Sequence, residues 1–421
     1  MPLDLHFEAR RTAPDYFTYL PDASAGLTVA HASNEHFLVD RLPDGRLFAV
    51  WTQSSFEGNP DQHIVFATSA DDGKTWSAPV TIAGADVAKG LAMASWAFPL
   101  VSRGGRLYVI FSRHAGVNDI FTHTTGLMAC IHSDDCGKTW SEQTILPMPR
   151  GKWDNPDPGI PANWIVWQKP IRIADGRYFT GFTRWVSPAV RPAKPIPKWW
   201  AEAAVVEFMR FENVDENPDP ADLRITWLMS NEQALQTGLV GHPRVPCIQE
   251  PSLIVLPDGR LFCVMRTTLG SPYYSVGSAD GSEWRTPEPL RQFDDGPVLP
   301  HPLSPCPIYE MEGSGYAFFY HGHNGYFLDK TPSDTSDHRR PVCLARGEFR
   351  PTARQPVWFS APWFFMDNGG VSILRSDLAL YASVTQSAEG IVLWYPERKF
   401  FLLGKKIDRR HFTGLTVKTD A

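Results

Sequence analysis

Hydrophobic and polar positions alternate along this chain in short runs, and several of those runs are entered through the same tight turn. Pro43-Asp-Gly-Arg-Leu-Phe48, Arg103-Gly-Gly-Arg-Leu-Tyr108, Ala174-Asp-Gly-Arg-Tyr-Phe179 and Pro257-Asp-Gly-Arg-Leu-Phe262 share one design, an Asp-Gly or Gly-Gly turn feeding an alternating strand. Weaker versions follow at Gly313-Ser-Gly-Tyr-Ala-Phe-Phe-Tyr320 and Arg375-Ser-Asp-Leu-Ala-Leu-Tyr381. No stretch sustains the capped 3.6-residue period of a helix. The turn positions at 45, 105, 176, 259, 315 and 377 recur at intervals that suit one small sheet each. Six such sheets repeated radially predict an all-β, six-bladed β-propeller occupying residues 1–421 as a single closed domain.

A second repeat agrees with the first. Ser69-Ala-Asp71-Asp-Gly73-Lys-Thr-Trp76 and Ser133-Asp-Asp135-Cys-Gly137-Lys-Thr-Trp140 share the pattern S-x-D-x-G-K-T-W, and Ser278-Ala-Asp280-Gly281-Ser-Glu-Trp284 is a version one residue shorter. In this Asp-box pattern the carboxylate takes loop N–H groups, the glycine supplies a positive φ and the tryptophan folds back under the turn. The boxes speak for architecture and leave the chemistry open.

Composition narrows the function classes. Fifteen Trp, 25 Phe, 32 Gly and 37 Pro suit stacked sheets joined by tight turns, and a net charge of −6 gives no footprint for nucleic acid. No run approaches a membrane span, and the first residues lack the apolar core of a leader peptide. The sequence as written therefore predicts a cytoplasmic protein, or a secreted or periplasmic one if a leader has been removed. Six cysteines without a C-x-x-C pair read as buried free thiols. Two proline-rich stretches, at about 144–165 and 187–223, predict long loop insertions. Their tryptophans, Trp199 and Trp200 among them, either stack sugars or close loop cores, and the acidic run Asn213–Asp222 reads as a solvated loop before a calcium site.

From about residue 30 to 400 the chain resembles the sialidase-like superfamily, within its group of Asp-box (BNR-repeat) proteins. The sharpest segment is Glu250-Pro-Ser-Leu-Ile-Val-Leu-Pro-Asp-Gly-Arg-Leu-Phe-Cys-Val-Met-Arg266. The resemblance implies that Glu250 polarises a tyrosine nucleophile and that Arg266 holds a substrate carboxylate. Arg339, with Arg340 as the fallback, matches a second arginine of the carboxylate-binding triad. Two family features are missing from the places where counting puts them. Glu35 stands where the first triad arginine is expected. Val371, in Asn368-Gly-Gly-Val371-Ser372, stands where the tyrosine is expected, while Tyr381 reads as a strand interior.

The remaining chemistry is a set of candidates. Asp61, favoured over Glu57, lies in the loop where the family carries its general acid, with turn capping as the alternative. His31, Asn34, Glu35 and His36 enter blade one together, Glu35 sharing a face with His31 and His36 with Asn34 if the strand alternates. Lys169 is a further ligand contact, or a solvated strand end. His321 and His323 form an H-x-H pair without an identifiable third metal ligand, so neither metal nor cofactor is expected. These groups predict an exo-acting glycoside hydrolase that cleaves a terminal acidic sugar from a glycan. Glu250, Asp61, His31 and Glu35 are the catalytic candidates, and Arg266, Arg339, Lys169, Asn34 and His36 the substrate-binding ones. One alternative is a lyase performing β-elimination beside a uronate, with His31 or His36 as base, as in rhamnose–glucuronate lyases of the wider family. The other is a propeller that binds glycan without cleaving it.

Overall fold

The computed structural model describes residues 4–22, 31–84, 92–191, 203–371, 377–378 and 380–419. Trp199, Trp200, Ser372 and, of the turn predicted around position 377, Arg375, Ser376 and Ala379 lie outside them. Among the described residues the strands form six sheets of four or five strands, plus one two-stranded hairpin at Gly238–Leu239 and His242–Pro246. Blade one runs outward from the axis as Ser33–Arg41, Leu47–Ser54, His63–Ser69 and Val80–Gly84. Its first strand is almost wholly buried and its last has no buried residue, which sets the inside and outside of the blade. Blade two begins with Ala94–Val101, blade three with Trp164–Ile165 and Ile171–Arg172, blade four with Ile248–Val255 and blade five with Ile308–Met311. This is the six-bladed propeller that the turn repeat predicts.

Blade six closes the ring. Ser383–Ser387, Gly390–Glu397 and Phe401–Ile407 come from the C-terminal end of the chain, and the outer strand is the N-terminal Tyr16–Tyr19, with Tyr16 opposite Gly404. A buried ion cluster ties this seam from a second side, where Arg398 contacts Glu397 at 2.7 Å and Glu8 at 3.0 Å. The first hairpin turn of blade six lies at Ala388–Glu389, well beyond the position 377 counted from the sequence. The proline-rich stretches are also shorter as loops than expected, since Thr144–Leu146, Trp164–Ile165 and Ala204–Phe211 are strands. The acidic run is drawn onto arginines, with Asp215 on Arg172 and Arg103. All six cysteines are free, and five are buried. No helix among the described residues is long and apolar enough to cross a membrane.

The Asp boxes act between blades as well as within their own turns. Asp71 accepts from the Thr75 N–H at 2.8 Å and the Thr75 hydroxyl at 2.7 Å, and Asp135 repeats both contacts with Thr139. Each box glycine has positive φ and faces an aromatic ring of the preceding blade: Gly73 faces Trp394, Gly137 faces Phe66 and Gly281 faces Phe179. A Cβ on Gly73 would lie 2.1 Å from the Trp394 ring, whereas one on Gly45, at the same φ of 87°, meets nothing within 4 Å. Gly73→Ala should therefore destabilise the protein by about 3 kcal/mol, from overpacking added to backbone strain, and Gly45→Ala by about 1 kcal/mol. Denaturant midpoints of the two variants check the difference; equal losses would mean that the ring contact carries no weight.

Candidate active site

Three inner strands break their pleat near their starts. Each holds a β-bulge in which a non-glycine residue adopts left-handed backbone: His36 at φ 61°, Trp96 at φ 56° and Glu250 at φ 48°. A bulge inserts an unpaired residue and re-aims its side chain. In blade one it ends the strict alternation that would have put His36 with Asn34, while His31 lies before the strand with its own positive φ of 89°. Glu250 keeps its conformation although the following Pro251 favours extended backbone. Such strain costs about 1–3 kcal/mol and persists only where the surroundings hold it. Here Thr183 of the neighbouring blade accepts the Glu250 N–H at 2.7 Å.

The re-aimed Glu250 is 1% exposed and meets Tyr381, which enters from the approach to the innermost strand of blade six. The Tyr381 hydroxyl donates to Glu250 Oε1 at 2.8 Å and accepts from Arg266 Nη1 at 3.2 Å. Arg266 Nη1 also lies 2.7 Å from Glu250 Oε2, while its Nε and Nη2 both donate to Gln249 Oε1. Burial raises the Glu250 carboxyl above the ordinary value, against the pull of Arg266 and Arg339. Burial and then the Glu250 charge push the Tyr381 phenol up, and the same two arginines pull it back. Trp96 and Trp167 press their rings against Tyr381 at 5.5 and 6.0 Å, and its carbonyl accepts from the Phe37 N–H. The nucleophile position counted to Val371 thus belongs to a residue 36% exposed at the surface, and a tyrosine ten residues later sits against the glutamate. The blade-six turn conceals it: with a turn at 377, Tyr381 counts as mid-strand, whereas with the turn at Ala388–Glu389 it precedes the inner strand.

Arg339 is 7% exposed, donates through Nε to the Leu303 carbonyl at 3.1 Å and points Nη1 toward Asp377 at 3.8 Å. Arg340, the fallback, is held bidentately by Asp367. Behind Arg339, four histidines support the connecting segment. His301 and His321 stack at 5.1 Å, and His301, His321, His323 and His338 each bond a backbone carbonyl. Burial pushes His301 down to about 3 and His321 well below its ordinary value, so both stay neutral near neutral pH. Among the described residues no group of His, Cys, Asp or Glu could hold a metal ion.

A second set of charged groups near Tyr381 comes from blades one and six. Lys399, 4% exposed, places Nζ 2.6 Å from Glu57, 3.6 Å from Glu35 and 5.4 Å from the centre of the Tyr381 ring. Glu35 is buried and also accepts from the Ser33 hydroxyl. Asn34, expected to touch sugar, is 0% exposed and its amide is spent inside the fold. Its Nδ2 donates to His31 O and Phe400 O, and its Oδ1 accepts from Trp51 and Gln53.

The remaining candidates have other partners. His36 is fully buried against Trp96, and burial lowers it to about 3, so it remains a neutral core imidazole. His31 is exposed and sits edge-on to His63 at 5.5 Å. Asp61 turns Oδ2 back to the Ser55 N–H at 2.8 Å, as a turn cap does, while its Oδ1 is buried without a hydrogen bond. Lys169 pairs with Asp40 at 3.2 Å. Asp40 is five residues beyond Glu35, about 16 Å along the strand toward the opposite end of the propeller, so Lys169 stands away from Tyr381. The structure gathers Glu250, Arg266, Arg339 and Glu35, and it adds Tyr381, Lys399 and Glu57 to them.

Comparison with solved structures returns the same fold at low sequence identity. An uncharacterised protein from Dyadobacter fermentans superposes with a TM-score of 0.61 at 12% identity, over 93% of this chain and 96% of that one. The intramolecular trans-sialidase from Ruminococcus gnavus, solved with oseltamivir carboxylate, gives 0.57 at 13%, over 95% and 99%. A sialidase from Trypanosoma rangeli, solved with sialic acid, gives 0.56 at 14%, over 93% of this chain and 56% of that one. No curated protein matches by sequence. The family model described as BNR repeat-like domain matches residues 45–392. With that match spanning most of its length, and with a fold that resembles the sialidase propellers, the chain belongs to the BNR repeat-like family.

Proposed function

We propose that this propeller is an exo-acting glycoside hydrolase in which Tyr381 is the nucleophile and Glu250 its base, acting on a terminal acidic sugar. The observation that supports it is the buried triad itself: a phenol that donates to a carboxylate at 2.8 Å and accepts from a guanidinium at 3.2 Å. A neutral tyrosine is a poor nucleophile. Passing its proton to Glu250 as the C–O bond forms produces a phenolate-like oxygen without the cost of separating charge in a dry site. Tyrosine is a known nucleophile among sialidases, and attack would give a glycosyl-tyrosine that water then releases. Arg339 offers guanidinium N–H donors for a planar carboxylate. Asp61, with an unbonded buried oxygen, and Glu57, beside Lys399, are the available acids for the leaving group.

The elimination reading has less behind it. It needs His31 or His36 as base, and His36 is sealed in the core. A digest of a glycan library read by mass spectrometry separates the two reactions. Hydrolysis adds the mass of water, elimination adds nothing and leaves an unsaturated uronate absorbing near 235 nm, and a pure binding protein releases no sugar.

The same site makes two kinetic predictions. Tyr381→Phe should lower kcat about 10³-fold or more, and Glu250→Gln about 10²–10⁴-fold, with both proteins folded by circular dichroism. Glu250 must be ionised to accept the phenol proton, and its carboxyl is held above the ordinary 4.5. Activity should therefore fall as pH drops through a value higher than 4.5, and the acid limb of kcat/KM measures it. An acid limb at or below 4.5 would mean that Glu250 is not the group whose ionisation matters.

A further inference from the structure

Two sets of charged groups surround Tyr381. From blades four and five come the guanidinium groups of Arg266 and Arg339. From blade six comes Lys399, clamped between Glu57 at 2.6 Å and Glu35 at 3.6 Å, both of blade one. The lysine reaches this position through an unusual turn. Arg398 and Lys399 both have positive φ, 55° and 51°, and the Phe400 N–H closes the turn onto the Glu397 carbonyl at 3.0 Å. Turns with two left-handed central residues normally use glycine or asparagine there. This one carries two long cations and is held from outside. The Asn34 N–H donates to the Lys399 carbonyl at 2.7 Å, and the Asn34 amide donates to that of Phe400 at 2.9 Å. The fold thus places an ammonium in the same wall as Glu35, the residue found where the first carboxylate-binding arginine is expected.

We propose that Lys399 determines specificity, and that with Glu35 and Glu57 it forms a wall recognising hydroxyl groups of the sugar while the carboxylate is confined to the Arg266–Arg339 side. A hydroxyl both donates and accepts, so an ammonium flanked by carboxylates satisfies both of its roles. A substrate carboxylate only accepts, and on this wall it would meet two negative neighbours for one positive one. The wall therefore orients an acidic sugar: hydroxyls toward blades one and six, carboxylate toward blades four and five. This rests on the reading of the Tyr381 site as sugar-processing.

The test uses matched pairs of methyl glycosides that differ only in the carboxylate: glucuronide and glucoside, galacturonide and galactoside, N-acetylneuraminide and its C1 amide. Dissociation constants come from ligand-observed NMR titration of the full chain. Lys399→Met should weaken both members of a bound pair by the same factor, about tenfold or more, as expected for a lost charged hydrogen bond. Arg339→Met should weaken only the acidic member. Removing a buried cation leaves Glu35 uncompensated and can unfold the protein, so Glu57→Gln, which keeps the ammonium, is the second variant and should give a smaller but again equal loss. Lys399→Met or Glu57→Gln acting on the acidic member alone, or on neither, overturns the proposal. Failure of every sugar to bind the unaltered protein overturns the sugar-processing reading and this inference with it, a result distinct from binding that ignores Lys399.

Discussion

A carboxylate 1% exposed to water cannot be left without compensation, and much of the axis of this propeller answers that requirement. Glu250 has one oxygen on the Tyr381 hydroxyl and the other beside the Arg266 guanidinium, and Arg266 is itself steadied by Gln249. The groups arrive from separate blades. Glu250 and Arg266 stand on the two strands of one hairpin of blade four, Tyr381 enters with blade six, and the Arg339 charge acts from blade five. The Glu250–Arg266 contact lies within blade four, but Tyr381 and Arg339 reach it only once the ring is closed, so the N-terminal strand that completes blade six is a condition for the site as well as for the fold.

The box glycines serve the same end at a distance. A blade whose turn abuts an aromatic ring of its neighbour has its separation fixed by atoms rather than by general hydrophobic contact. Convergence of side chains from different blades to within hydrogen-bonding distance needs that fixed separation. The strained bulges then supply the last adjustment, lifting His36, Trp96 and Glu250 out of the pleat.

The fold was legible because its signals are local. An Asp-Gly turn, an Asp box and an alternating strand each read out within a few residues, and five of the six turns stand where the sequence places them. The sixth, at Ala388–Glu389, lacks an Asp-Gly pair, and a count that places it at 377 makes Tyr381 a strand interior. Glu250, Arg266 and Arg339 were readable from a family pattern. Lys399 and the spent amide of Asn34 were not, because their placement depends on a turn without glycine and on contacts spanning more than 300 residues of chain. Lys169 and His36 looked functional by residue type, but the register and the bulge assign them elsewhere. Bulges leave no mark in an alternation count, since one extra residue reads as ordinary strand.

The central claim is that Tyr381 forms a bond to the sugar, and the most direct measurement is covalent trapping. The protein is incubated with activated fluoro-glycosides of sialic, uronic and neutral sugars, digested and mapped by tandem mass spectrometry. The account predicts one fluorosugar on the peptide containing Tyr381, absent from Tyr381→Phe. A label on Glu250 or Asp61, or turnover of these probes with inversion and no adduct, would contradict it.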